Sequence, residues 1–161
     1  MSGGWAQHAG LYAPFRNSLL GGGDINFRRR GFSLAVIDAA NPFSLVTYGQ
    51  FDTYDSSNGA IINGVDTPCP GDGAQRCANM MMSYVNGMAQ YTGKVAMVMI
   101  YDEASMNDNE NVRASLRTVL GSSLTRLGWR ESYILITVIG GEVLAERKGN
   151  SGEVIEEEWL H

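Results

Sequence analysis

Three runs of strand length leave almost no room for a polar face: Phe32-Ser33-Leu34-Ala35-Val36-Ile37, Val95-Ala96-Met97-Val98-Met99-Ile100-Tyr101 and Tyr133-Ile134-Leu135-Ile136. A strand sends alternate side chains to opposite faces. An almost unbroken apolar strand must therefore be covered on both sides, which places these runs inside a sheet. Leu45 to Asp52 reads as a further strand that closes a hairpin with the first through Asn41-Pro42. Residues 55–73 read as a long loop of Ser, Asn, Gly, Asp and Pro, and loops of that length are uncommon unless they serve a function.

Between the strands the apolar period lengthens. Met80, Met81, Tyr84, Val85 and Met88 fall on one face of a helix that starts after Ala74 and stops at Gly93. The methionines read as flexible core filler. Val112, Leu116, Val119 and Leu120 mark a second helix over about 109–120, capped by Asn107 or Asp108 and ended by Gly121. Gly140-Gly141 turns the chain into a short last strand, Val143 to Arg147. The order β-β-α-β-α-β-β predicts an α+β fold: a compact, β-sandwich-like sheet domain with two flanking helices. It occupies residues 28–148, between an arm (1–27) and an acidic tail (149–161).

The arm is unusual. Residues 1–23 contain six glycines and one charge, Arg16, among apolar residues. Trp5, Leu11, Tyr12 and Phe15 are expected to dock it on a partner chain or along its own domain, with Gly21-Gly22-Gly23 as a hinge. Its start lacks the basic and apolar blocks of a secretory leader, and no run of about 18 apolar residues exists, so neither a signal peptide nor a membrane span is expected.

Charge narrows the function. The net charge is −5, and residues 142–161 carry most of it, with six glutamates against Arg147 and Lys148. A near-neutral body lacks the clustered bases that displace counterions from nucleic acid. The two histidines, His8 and His161, lie at the chain ends, poor places for a rigid catalytic base or a zinc site. No cofactor or metal is expected. Cys69 and Cys77, eight apart in a stretch of turn formers, are compatible with a disulfide or with a reduced pair.

Two side chains stand where buried strands meet loops: Asp102, after the Val95–Tyr101 run, and Arg130, in Gly128-Trp129-Arg130-Glu131. Asp102 and Glu103 are neighbours on one strand end, an unsuitable arrangement for a pair of catalytic carboxylates. Arg130 is either an ion-pair partner of Glu131 or Asp102, or a planar donor fork for a polar ligand. Arg30, just before the first strand, is either a surface charge or a third member of such a site.

Five windows occur in order: Arg30-Gly31-Phe32-Ser33-Leu34-Ala35-Val36-Ile37, Phe51-Asp52-Thr53-Tyr54, Tyr101-Asp102-Glu103-Ala104-Ser105, Leu120-Gly121-Ser122 and Leu127-Gly128-Trp129-Arg130-Glu131-Ser132-Tyr133. Over roughly residues 28–141 the set resembles the interleukin-like EMT inducer (ILEI) domain of a group of cytokine-like secreted proteins. It is still more similar to the stem domain of protein O-mannose N-acetylglucosaminyltransferase. The resemblance implies a fold without an enzymatic centre. It also implies a sugar site in which two arginines and an aspartate fall on Arg30, Arg130 and Asp102, with Trp129 or Tyr101 covering a sugar face. The long loop, the arm and the tail depart from that pattern, and a domain with a docking arm but no leader resembles ILEI-type modules of bacteriophage virion proteins. The expected function is thus a non-enzymatic carbohydrate-recognition module in a virion (such as a phage tail or fibre) or another extracellular assembly. Its expected partners are a glycan and other protein chains through the arm, either further copies of itself or virion proteins, with no nucleic acid or membrane partner. The alternatives are a purely structural assembly subunit and a cytokine-like secreted binding protein.

Overall fold

The strands are β1 (Gly31–Asp38), β2 (Ser44–Asp52), β3 (Ala60–Ile62), β4 (Val65–Thr67), β5 (Val95–Tyr101), β6 (Glu131–Val138) and β7 (Val143–Ser151). In the computed structural model they form one open sheet in the order β4-β3-β2-β1-β5-β6-β7. Every neighbouring pair is antiparallel. Helices α1 (Arg76–Gly87) and α2 (Glu110–Leu120) complete the α+β fold expected from the sequence. The structure describes residues 30–40, 44–107, 109–153 and 155, so the arm anchors Trp5, Leu11, Tyr12 and Phe15 and the tail beyond residue 155 lie outside the described residues. Among the described residues no helix is long and apolar enough to cross a membrane.

The three apolar runs occupy the middle of the sheet for the reason their composition dictates. Phe32, Leu34 and Val36 of β1, Ala96, Val98 and Ile100 of β5, and Tyr133 and Leu135 of β6 pack with Met81 and Val85 of α1 and Val112, Leu116 and Leu120 of α2. The intervening side chains, Ala35, Ile37, Val95, Met97, Met99 and Ile136, form a second buried cluster on the opposite face. Each fully buried Leu, Ile or Phe contributes about 1.5–3 kcal/mol relative to exposure, so the strands that are apolar on both sides define the fold.

The helices end where local chemistry stops them. Asn109, not Asn107 or Asp108, caps α2: its Oδ1 accepts the N–H of Val112 at 3.0 Å. Gly121, at φ 71°, closes the other end by donating to Arg117 O at 3.0 Å. Along α1, Met81 is buried and Met80 packs against the core, in keeping with a filler role. The expected loop over 55–73 contains the β3–β4 hairpin instead, turned by Asn63 and Gly64, both at positive φ. Strand β7 also continues to Ser151, past the expected end at Arg147.

The excursion from β2 to α1 is fastened at its far end. Cys69 and Cys77 form a disulfide with a Cα–Cα distance of 5.0 Å. Beside it Ser56 Oγ donates to Ala74 O at 2.6 Å and accepts the Cys77 N–H at 3.0 Å.

Candidate functional site

Antiparallel register gathers four chain segments at one end of the sheet. Gly31, the first residue of β1, is paired with Asp52, the last of β2, and with Tyr101, the last of β5. Strand β6 begins at the same end, since Met99 faces Ile134. Arg30, the Asp52–Tyr54 turn, Asp102 and Trp129–Arg130 therefore emerge together. Gly31 makes the close approach possible: a Cβ there would lie 2.3 Å from Phe51 O and 2.4 Å from Thr53 Oγ1.

Asp102 and Arg130 face each other across the junction of β5 and β6, with Arg130 Nη2 3.9 Å from Asp102 Oδ1. Both backbones sit in the left-handed region, at φ 59° and 53°, which costs a residue with a side chain about 1–3 kcal/mol. Asp102 Oδ1 and Arg130 Nε are buried and have no hydrogen-bond partner among the described residues. The alternative partner of Arg130 considered from sequence is engaged elsewhere: Glu131 Oε2 accepts from Gly128 N at 2.6 Å and Lys148 Nζ at 2.9 Å. Those donors, the Lys148 hydrogen bond foremost, hold the Glu131 carboxyl below the usual carboxylate range despite some burial.

Aromatic rings join the two arginines. The Arg130 guanidinium lies 5.5 Å from the centre of the Trp129 ring, Trp129 packs at 6.2 Å against Tyr54, and the Arg30 guanidinium lies 4.6 Å from the centre of the Tyr54 ring. Trp129 is 53% exposed, a large apolar surface held open beside two polar groups. Arg30 does not reach Asp102. Its Nη2 lies 3.2 Å from Asp55 Oδ1, 3.1 Å from Ser57 Oγ and 3.5 Å from the fully buried carboxylate of Asp52. Hydrogen bonds from Ser57, with a smaller contribution from the Arg30 charge, keep the Asp55 carboxyl below its usual range. The side chain of Tyr101 lies outside the described residues.

Buried polar groups brace this end. Glu103, 2% exposed, accepts the backbone N–H of Ser105 on Oε1 and that of Arg130 on Oε2 at 2.6 Å. Asp52 accepts from Tyr54 N at 3.2 Å and from both the backbone and side-chain nitrogens of Asn58 at 2.9 Å. Asn107, expected as a helix cap, donates to Thr53 O, Tyr54 O and Ala74 O at 2.7–3.1 Å and so ties the turn carrying Tyr54 to the segment after β5. Tyr54 and Asp52 belong to this cluster although the sequence singles them out only as part of the Phe51-Asp52-Thr53-Tyr54 window, and Glu103, weighed from sequence only as a catalytic carboxylate beside Asp102, serves as a brace instead. Among the described residues no three His, Cys, Asp or Glu side chains gather as metal ligands.

The sequence model of the interleukin-like EMT inducer family matches residues 30–141, which spans the sheet from the start of β1 to the turn after β6 and includes all three candidate ligand residues. The chain belongs to the interleukin-like EMT inducer family. No curated protein matches it. In this ILEI domain the matched segment begins at Arg30 and takes in α1 and α2, while β7 lies just beyond it.

Proposed function

We propose that the end of the sheet around Asp102, Arg130 and Trp129 is a glycan-recognition site, and that the domain is a binding module rather than an enzyme. One observation carries the reading: Asp102 Oδ1 and Arg130 Nε are buried, lack hydrogen-bond partners among the described residues and stand on two strained backbone positions beside an exposed indole. An unsatisfied buried polar atom costs about 1–3 kcal/mol, and a ligand carrying both donors and acceptors relieves that cost. A sugar ring offers adjacent hydroxyls to a carboxylate and to an arginine fork, and an apolar face to an aromatic ring. Arg30, held over Tyr54, extends the same surface.

The non-catalytic reading is supported by what Glu103 does. Both its oxygens accept backbone N–H groups, so the carboxylate next to Asp102 is engaged in holding the loop and is not presented as an acid or base. The resemblance of the five sequence windows to a glycosyltransferase stem domain also supports a role in binding. The wider setting, an extracellular or virion assembly such as a phage tail or fibre, is supported by the apolar composition of the arm around Trp5, Leu11, Tyr12 and Phe15.

The test is titration of a glycan panel against the wild type, Asp102→Ala and Arg130→Ala, with fold checked by circular dichroism. The reading expects one sugar class to bind the wild type and both variants to lose at least about tenfold in affinity. Equal binding by all three proteins overturns the site, as does no binding by folded wild type. Turnover of a bound glycan overturns the non-enzymatic assignment.

A further inference from the structure

The polar surface at the Arg30 end continues into a pocket. Ser57, whose hydroxyl meets the Arg30 guanidinium at 3.1 Å, also lines a cavity of about 300 Å³ together with Asn58, Asp66, Thr67, Cys69 and Arg76. Asn58 belongs to both places, since it holds the buried Asp52 that lies beside Arg30 and forms part of the cavity wall. The volume is at the lower end of the range for small-molecule sites, about 300–1,000 Å³.

The cavity's chemistry parallels that of the first site. Its lining includes one carboxylate, Asp66, and one arginine, Arg76, together with hydroxyl and amide side chains. The Arg76 fork is fixed, with Nη2 donating to Ser56 O at 2.9 Å and Nη1 to Gly73 O at 3.3 Å. The walls are fixed too. The Cys69–Cys77 disulfide joins the cavity's Cys69 to the first turn of α1, and Ser56 Oγ bonds the backbone on either side of Gln75. A preformed pocket whose lining holds a carboxylate, an arginine and hydroxyls suits a neutral, polyhydroxylated ligand, because little ordering is required on binding.

We propose that this pocket is a second sugar subsite, so that the module recognises an oligosaccharide and not only a terminal residue. The ligand would run from Asp102 and Arg130, past Trp129, Tyr54 and Arg30, to Asp66 and Arg76. The proposal rests on the glycan reading of the Asp102–Arg130 pair.

Calorimetric titration separates the two. The probes are methyl glycosides of glucose, galactose, mannose and N-acetylglucosamine, and linear trisaccharides of the same sugars. For the sugar that binds, the subsite predicts a trisaccharide at least about tenfold tighter than the monosaccharide in the wild type. In Asp66→Ala that ratio collapses toward one, and in Arg130→Ala both ligands weaken. A wild-type ratio near one overturns the subsite and leaves the first site standing. So does a ratio that survives in both Asp66→Ala and Thr67→Ala. Failure of every probe to bind folded wild type overturns the glycan reading, and the subsite with it.

Discussion

Glu103 Oε2 accepts the backbone N–H of Arg130 at 2.6 Å, so the carboxylate that follows Asp102 in the chain fixes the residue that faces Asp102 across the site. The same carboxylate holds the N–H of Ser105. A buried anion satisfied by two backbone donors is stabilising only while both donors are in place.

Removing Glu103 should therefore unfold the protein more easily and disorder the site. Glu103→Ala strands two backbone N–H groups, and the expected loss is about 2–4 kcal/mol. Glu103→Gln keeps one acceptor oxygen and turns an amide NH₂ toward the other donor, so it should fall between the two. Urea unfolding midpoints check the order, and a loss below about 1 kcal/mol for Glu103→Ala contradicts it.

Arg130 gives the opposite expectation. Its backbone is at φ 53°, its ion pair with Asp102 is long at 3.9 Å, and its side chain is 42% exposed, so its contribution to stability is small. Glycine accepts that backbone without strain. Arg130→Gly should leave stability unchanged or raise it by up to about 1 kcal/mol while the proposed sugar binding is lost. Thermal unfolding and ligand titration on the same preparation measure both, and a variant clearly less stable than wild type refutes the strain argument.

The contrast between these two residues shows what the sequence could reveal. Apolar runs such as Val95–Tyr101 announce a central strand because their composition forbids exposure on either face. Asp102 and Arg130 stand out because they are charges at the ends of such runs. The hairpin within residues 55–73 is less visible, since each strand is three residues long. Its signal is Asn63-Gly64 flanked by Ile61-Ile62 and Val65, which the surrounding turn formers obscure. Asn63 also has a tertiary role that no local pattern encodes: its Oδ1 accepts from Tyr48 N at 2.9 Å and Thr47 Oγ1 at 3.0 Å. The Trp129–Tyr54 contact and the duty of Asn107 are invisible for the same reason, because each depends on segments that meet only through sheet register.

The disulfide offers a third measurement. Cys69 and Cys77 close a short loop, and restricting a loop of that size in the unfolded chain is worth about 2–3 kcal/mol. The double variant Cys69→Ser, Cys77→Ser should lower stability by that amount. Because the bridge fastens the wall of the Asp66–Arg76 pocket, the proposed subsite should weaken with it, so that trisaccharide affinity falls more than monosaccharide affinity. Equal stability of the double variant and wild type in urea would refute the structural role.

Glu146 sets an acid-side expectation. Burial raises its carboxyl pKa, but hydrogen bonds from Ser123 Oγ and N, Tyr133 and Ser122 outweigh burial and hold it below its ordinary value of 4.5. The contacts are close: 2.7 Å from Ser123 Oγ, 2.7 Å from Tyr133 Oη and 2.9 Å from Ser122 Oγ. A carboxyl with a depressed folded-state pKa adds stability above its unfolded value, and that contribution disappears as pH falls through the folded value. Wild-type stability should therefore decline as pH drops below about 4.5, while Glu146→Gln, which cannot titrate, should decline less steeply. Some slope must remain in the variant, because Glu131 and Asp38 are depressed as well and lose their contributions in the same direction. On the alkaline side, burial chiefly, with the nearby Glu146 carboxylate adding to it, raises the Tyr133 hydroxyl above its ordinary 10. Its contribution is full below that value and is lost as pH rises beyond it. Urea unfolding across both ranges tests the assignment, and identical acid slopes for wild type and Glu146→Gln would show that the four hydrogen-bond donors do not favour the charged form.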